Sequence, residues 1–216
     1  RRLEVLIYAW IMPASTVVQA IIGGITVRTG LLWWTVAIHL LTSMAMVWLA
    51  VLLYVKVGQP DADAALLTNT VPAPLRRLTA LSGVALAAVL VTGTLVTAAG
   101  PHAGDRSPTR TVPRLKIEIT TLAHAHSSLL VAYLALLIGL GFGLVAVHAP
   151  KPVLLRLGVL VLLVCGQATV GTVQYFAGIP AALVAMHVAG AAAVTAATAA
   201  LWASLRERTQ PQLVQS

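Results

Sequence analysis

Two stretches of this chain, residues 19–39 and 167–187, each end on a histidine inside an otherwise apolar run. An imidazole can ligate a metal, carry a proton or make a hydrogen bond, and in an apolar setting it is costly to keep without a role. The two stretches are copies. Gln19-Ala20-Ile21-Ile22-Gly23 leads through Gly30 to Val36-Ala37-Ile38-His39, and Gln167-Ala168-Thr169-Val170-Gly171 leads through Gly178 to Val184-Ala185-Met186-His187. At a constant offset of 148 (167 minus 19), Gln, Ala, Gly, Gly, Val, Ala and His recur at seven of 21 positions without a gap. Small or apolar matches arise by coincidence in any apolar segment; a matched Gln and a matched His in register do not. A fixed-offset repeat marks one structural unit built twice. Each copy then carries an imidazole at the same depth, which points to two equivalent metal or haem sites.

The elements that position these residues are apolar helices. The chain is 59% hydrophobic and 9% charged, with a mean hydropathy of +0.92, whereas charged residues make up roughly 25% of soluble domains. Six apolar runs, 5–27, 31–55, 76–98, 118–147, 153–174 and 180–204, are each long enough to cross a hydrocarbon core of roughly 30 Å. The expected fold is all-α, a polytopic transmembrane helical bundle. The second copy occupies helices five and six, with helices three and four ahead of it; nothing precedes the first copy, and the chain opens on Arg1-Arg2 without a Met. The repeat therefore predicts a pseudo-symmetric eight-helix (four plus four) protein, truncated at its N-terminus. Residues 1–56 are the remaining helix pair of the N-terminal half. Residues 57–75 are a polar, proline-bearing cytoplasmic loop, and 76–216 are the C-terminal four-helix haem-binding half with a cytoplasmic tail.

The net charge of +8 lies at helix ends. Alternating loops place Arg1, Arg2, Lys56, Arg76, Arg77, Lys151, Arg156, Arg206 and Arg208, nine residues, on one side; Arg28, Arg106, Arg110, Arg114 and Lys116, five, fall on the other. The positive-inside bias predicts that both termini are cytoplasmic in a bacterial plasma membrane. No basic face is interleaved with exposed aromatics, so nucleic acid is excluded as a partner and the bilayer is the expected one. The single Cys165 lies mid-helix and excludes an internal disulfide and CxxC chemistry. Arg1-Arg2 precedes a helix too long for a cleavable signal peptide.

Helices two, four and six enter from the external side near Leu31, Ile117 and Pro180. At 1.5 Å per residue, His39 lies about 12 Å deep, and His124 and His187 about 10 Å deep. Three imidazoles thus converge on one level, as bis-imidazole haem ligation between helices requires. Alone, each is equally explained by an interhelical hydrogen bond; the repeat and shared depth favour ligation for His187, His124 and His39. His126 is turned about 200° from His124 on a helix, so the two cannot serve one iron, and His126 reads as a hydrogen-bonding or surface-facing residue. His102, in the external loop 99–117, and His148, at the cytoplasmic end of helix four, read as solvated, with His102 able to approach a ligand edge if its loop folds over. Glu118 sits at the mouth of helix four, where the helix dipole favours a carboxylate; a proton or substrate contact is the sharper alternative. Gly23 and Gly171 let helices approach closely, with clearance for a flat macrocycle. Gly30 and Gly178 end helices before tight turns. Trp33, Trp34, Tyr175 and Phe176 fit an interfacial aromatic belt.

Gln19 to Gly30 followed by Trp34-Thr-Val-Ala-Ile-His39 resembles the third-to-fourth helix segment of haem A synthases. Gly100-Pro101-His102-Ala103-Gly104-Asp105 resembles the loop of their actinobacterial-type members, and His124-Ala125-His126 and Gln167 to His187 resemble the sixth and the seventh-to-eighth helices. The resemblance covers essentially the whole chain. It implies an eight-helix, haem-dependent membrane oxidoreductase that oxidises a ring methyl of haem O to the formyl of haem A, with O₂ and an external electron donor. It further implies a haem b between His124 and His187 in the C-terminal half, and the substrate haem in the catalytic N-terminal half with His39 as one ligand. The second substrate-haem ligand and a nearby acid stand, in the family, on a helix absent here. Haem O synthase and cytochrome oxidase assembly factors are the implied partners. Family members often carry cysteine pairs in external loops, and loop 99–117 has none. The chain as it stands is expected to bind one haem without making haem A. Two other classes compete: a membrane cytochrome b that only passes electrons, for which bis-His haem suffices, and a repeat-built transporter, which near-absent intramembrane acids disfavour.

Overall fold

In a computed structural model, residues 2–60, 66–104 and 111–209 are described. Arg1, Asp105, Arg106 and Arg110 lie outside them. Six long helices form among the described residues: α1 (Leu3–Arg28), α2 (Trp33–Val57), α3 (Ala73–Ala99), α4 (Ile119–Ala146), α5 (Lys151–Phe176) and α6 (Ala181–Ala203). All six are long and apolar enough to cross a membrane. The chain is a multi-pass membrane protein.

Local sequence sets the helix ends. Pro72, Pro150 and Pro180 stand at the N-caps of α3, α5 and α6, where a fixed φ and a missing N–H cost nothing. The turns after α1 and α5 are the same turn made twice. Gly30 (φ 71°) and Leu31 (φ 59°) match Gly178 (φ 78°) and Ile179 (φ 59°). Leu31 N–H donates to Thr26 O at 2.9 Å, and Ile179 N–H to Gln174 O at 2.8 Å. Both close a helix by the left-handed C-terminal motif that glycine favours. The repeat is therefore present in backbone geometry.

α3 pairs with α4, α1 with α2, and α5 with α6; α2 also packs on α6 and α3. The described part of loop 57–75 is not all irregular. Part of it forms strand β1 (Leu66–Asn69), which pairs antiparallel with β2 (Arg206–Thr209) in the segment expected to be only a tail. Thr70 N–H extends the ladder to Leu205 O at 3.1 Å. At this same end, Lys56 Nζ meets Glu4 at 2.6 Å, and the Arg2 guanidinium donates to Lys56 O. Both described chain ends thus share one end of the bundle, called the near end here.

The core follows one periodicity. On α4, Tyr133, Leu137, Leu140 and Leu144 are fully buried; on α5, Val153, Leu157, Leu160 and Val164 are nearly so. Both runs step by 4, 3 and 4 residues, the spacing that keeps a seam facing a partner helix. Antiparallel, they close the near half of the α4–α5 contact. Lipid tails are as apolar as leucine, so it is close packing rather than water exclusion that holds this seam. Towards the far end the same stripe continues as Leu130, His126 and Ala123 on α4, and as Gln167, Gly171 and Gln174 on α5. Large apolar side chains give way to small and polar ones, and the helices part.

Candidate functional site

Where the stripe changes, a cavity of about 460 Å³ opens between α3, α4, α5 and α6. Its wall includes His124, His126, Gln167, Gly171, Gln174 and His187. A smaller, deeper extension of about 90 Å³ reaches Tyr133, Val164 and Leu86, and takes in Leu40 of α2. The larger space lies within the roughly 300–1,000 Å³ of small-molecule sites.

Each helix pair presents a histidine against a glycine. A Cβ on Gly171 would lie 3.1 Å from His187 Cε1, one on Gly93 3.1 Å from His126 Cε1, and one on Gly23 3.3 Å from His39 Cε1. The glycines are the clearance in which the rings sit. The three pairs share a second spacing: Gly23–Gly30, Gly93–Gly100 and Gly171–Gly178 are each seven residues apart. The glycine spacing and the histidine contact thus recur in α3–α4, although Val89 stands where the glutamine would be and Gly100 (φ −74°) does not make the left-handed turn.

The imidazoles that meet are those of His126 and His187, with ring centroids 6.4 Å apart and planes inclined at 69°. Nδ1 of His126 lies 3.0 Å from Val89 O and 3.2 Å from Thr92 Oγ1. A backbone carbonyl only accepts, so Nδ1 of a neutral His126 ring carries the proton. The lone pair is then on Nε2, the arrangement of a ligand-ready imidazole held by a carbonyl behind it. Nδ1 of His187 is buried without a hydrogen-bond partner, as are Oε1 of Gln167 and Gln174 in the same cavity wall. Gln167 donates from Nε2 to His187 O at 3.1 Å, and Gln19 donates to His39 O at 3.3 Å. The repeated glutamine thus clamps the backbone of the repeated histidine.

Of the residues singled out from sequence, His187 stands in this pair. His124 does not face it: its side chain is exposed on the outside of α4, at the rim of the cavity. His126, read as a hydrogen-bonding or surface residue, keeps the hydrogen bond but turns its ring into the cavity. The reason is helix phase: the buried stripe through Leu130 and Tyr133 passes through position 126, not 124. That stripe and the third Gly-to-Gly spacing were the signals available for His126. His39 lies half-buried against Gly23, its Nδ1 without a partner, and lines neither cavity. His102 is exposed, yet its Nε2 bonds Ile179 O at 2.7 Å, so its loop reaches across to the α5–α6 turn. His148 is exposed at the near end with φ 52°, and Glu118 is the exposed N-cap residue of α4.

Chemically, two imidazoles are too few for a bare ion, since protein metal sites usually take three or four ligands. Among the described residues no group of three or more His, Cys, Asp or Glu could hold one. Two imidazoles would suffice for a metal already held in a macrocycle; His126 and His187 would hold it, and it would supply one-electron chemistry. The spacing here, the glycine clearance and the unpartnered nitrogen fit an iron porphyrin. Comparison with protein families, with curated proteins and with solved structures finds no match for this chain.

Proposed function

We propose that this chain is a haem-dependent membrane oxidoreductase of the haem A synthase type, with a haem b held by His126 and His187. The observation that carries the reading is the pair of imidazoles 6.4 Å apart across a cavity of small-molecule size. A bound haem supplies one-electron chemistry at its iron. The chain's own contribution is positional. Val89 O fixes the His126 tautomer, Gln167 holds the His187 backbone, and Leu86, Val89, Leu130 and Val164 keep water from the deep end. Among the described residues the walls of both cavities carry no carboxylate, which suits an electron relay better than oxygen chemistry at this centre. Oxidation of the haem O methyl to the formyl of haem A then belongs to the His39 side. The two share a wall, for α2 packs on α6 and Leu40, next to His39, lines the deeper cavity.

The nine-to-five distribution of basic residues supports cytoplasmic termini in a bacterial plasma membrane. Haem O synthase, oxidase assembly factors and an external electron donor are the partners this activity requires. A reduced-minus-oxidised spectrum with porphyrin extraction tests the centre. A low-spin b-type signal lost in His126→Ala and in His187→Ala, and kept in His124→Ala, is expected; a protein that stays colourless with ample haem refutes it. The all-neutral described lining also favours a second reading, a cytochrome b that only passes electrons. Product analysis separates the two, because an electron carrier leaves haem O unchanged.

A further inference from the structure

The haem reading uses His126 and His187 and leaves His124 unexplained. Its ring stands inside a membrane-spanning helix, is exposed, and makes no hydrogen bond to a described residue. An ionisable group in that position is costly and rarely idle. It also lines the same cavity as the other two imidazoles, at the rim. The rim opens sideways. Val131 (67% exposed) and Phe176 (83% exposed) belong to the cavity wall, and Val131 lies twelve residues into α4, about 18 Å along its axis. An opening at that depth faces hydrocarbon rather than water. The far end is spanned instead. His102 bonds the α5–α6 turn at Ile179 O, Arg114 donates to Pro101 O, and Leu115 N–H donates to Ala98 O. The near end is closed by the Tyr133-to-Leu144 seam.

We propose that the gap between α4 and α5 is a side entrance for a membrane-dissolved iron porphyrin, and that His124 is its transfer ligand. This rests on the haem reading above. His124 and His126 are two residues apart, so about 3 Å separates them along the axis, while half a turn of helix carries the exchange from rim to interior. The exchange is balanced: one iron–imidazole bond breaks as another forms, and no electron or proton is needed. A flat amphiphile leaving the bilayer meets the exposed ring first and the buried pair second.

Haem-free protein in lipid nanodiscs is mixed with phosphatidylcholine vesicles carrying hemin, and growth of the low-spin Soret band is followed by stopped flow. His124→Leu is expected to reach the wild-type spectrum and midpoint potential, but about tenfold more slowly, a loss of the size seen when auxiliary groups of a metal site are removed. Ala168→Trp, which narrows the gap from α5, slows loading as well; His102→Ala, which loosens the far-end loop, does not change it. Wild-type loading speed in both His124→Leu and Ala168→Trp overturns the side entrance and leaves the haem reading standing, as does acceleration in His102→Ala. Loss of the low-spin band in His124→Leu, with its survival in His126→Leu, makes His124 the axial ligand and overturns both. A wild-type protein that takes up no hemin removes the haem reading, and the entrance with it.

Discussion

Gly171→Ala tests whether the position of a ring, and not merely its presence, makes the site. The added Cβ would lie 3.1 Å from His187 Cε1, 3.6 Å from Nδ1 and 3.7 Å from Nε2. Carbon atoms settle at roughly 3.5–4.0 Å, so the shortfall at Cε1 is about 0.4 to 0.9 Å. α6 is also packed on α2, which resists its moving away, so the ring has to give. Metal ligands must be held to within about 0.5 Å, and the forced shift is of that size. Haem affinity is expected to fall about 10- to 100-fold, the range found when groups that orient a metal's ligands are disturbed. Soret titration of haem-free protein with hemin reads this directly. The control is Gly166→Ala, on the same helix but facing open space. Both substitutions gain the same helix propensity, up to about 1 kcal/mol, so stability changes cancel in the comparison. Gly93→Ala should mirror Gly171→Ala, with a Cβ 3.1 Å from His126 Cε1. Equal affinity in Gly171→Ala and Gly166→Ala would refute the reasoning.

Two further predictions concern the frame around the site. Tyr133→Phe removes the buried 2.8 Å bond between Tyr133 Oη and Thr198 Oγ1; Thr198 keeps its bond to Val194 O, so the loss should be only about 0.6 kcal/mol. Thermal unfolding in detergent measures it, and a drop of several kcal/mol would contradict the local account. The two-stranded sheet is tested by Leu67→Cys with Arg208→Cys in a Cys165→Ser background. These positions face each other in the β1–β2 register, where Cβ atoms lie about 4.5–5.5 Å apart. Mild oxidation should crosslink this pair and not Leu67→Cys with Glu207→Cys, whose side chains leave opposite faces of the ladder.

The spans were legible because length and hydropathy decide them: each of the six expected runs falls within three residues of its helix at both ends. The repeat was legible too, down to its turn glycines. Helix rotation was harder to read. α4 is apolar almost all round, so polarity does not say which side faces the bundle, and a choice between His124 and His126 turns on half a rotation. Spacing does say it, since Tyr133, Leu137, Leu140 and Leu144 extrapolate back through Leu130 to His126. β1 and β2 could not be read, as four-residue strands of mixed polarity are paired by the helices that bring their ends together, not by their own pattern.

The glutamine clamp leads to a prediction about coupling rather than about a single residue. A Cβ on Gly190 would overlap the Gln167 amide, so Gly190→Ala must drive that amide off its bond to His187 O. The cost has two parts, overpacking of about 1–3 kcal/mol and a lost interhelical hydrogen bond of about 0.6 kcal/mol. Gln167→Ala removes the amide and leaves a methyl-sized gap beside Gly190. In that background Gly190→Ala has room, and its penalty should largely disappear. A double-mutant cycle on unfolding stability, with hemin affinity followed in parallel, therefore predicts strong non-additivity, whereas residues without shared contacts add to within about 0.5 kcal/mol. In the first copy the position matching Ala191 is Ser43, which receives the Gln19 amide at 2.6 Å. The clamp on His39 is thus tied through a side chain, while the clamp on His187 is held by packing against a glycine alone. Additive penalties at Gly190 and Gln167 would mean that the amide does not occupy the place argued for it, and that His187 is positioned by Gly171 without help from the glutamine.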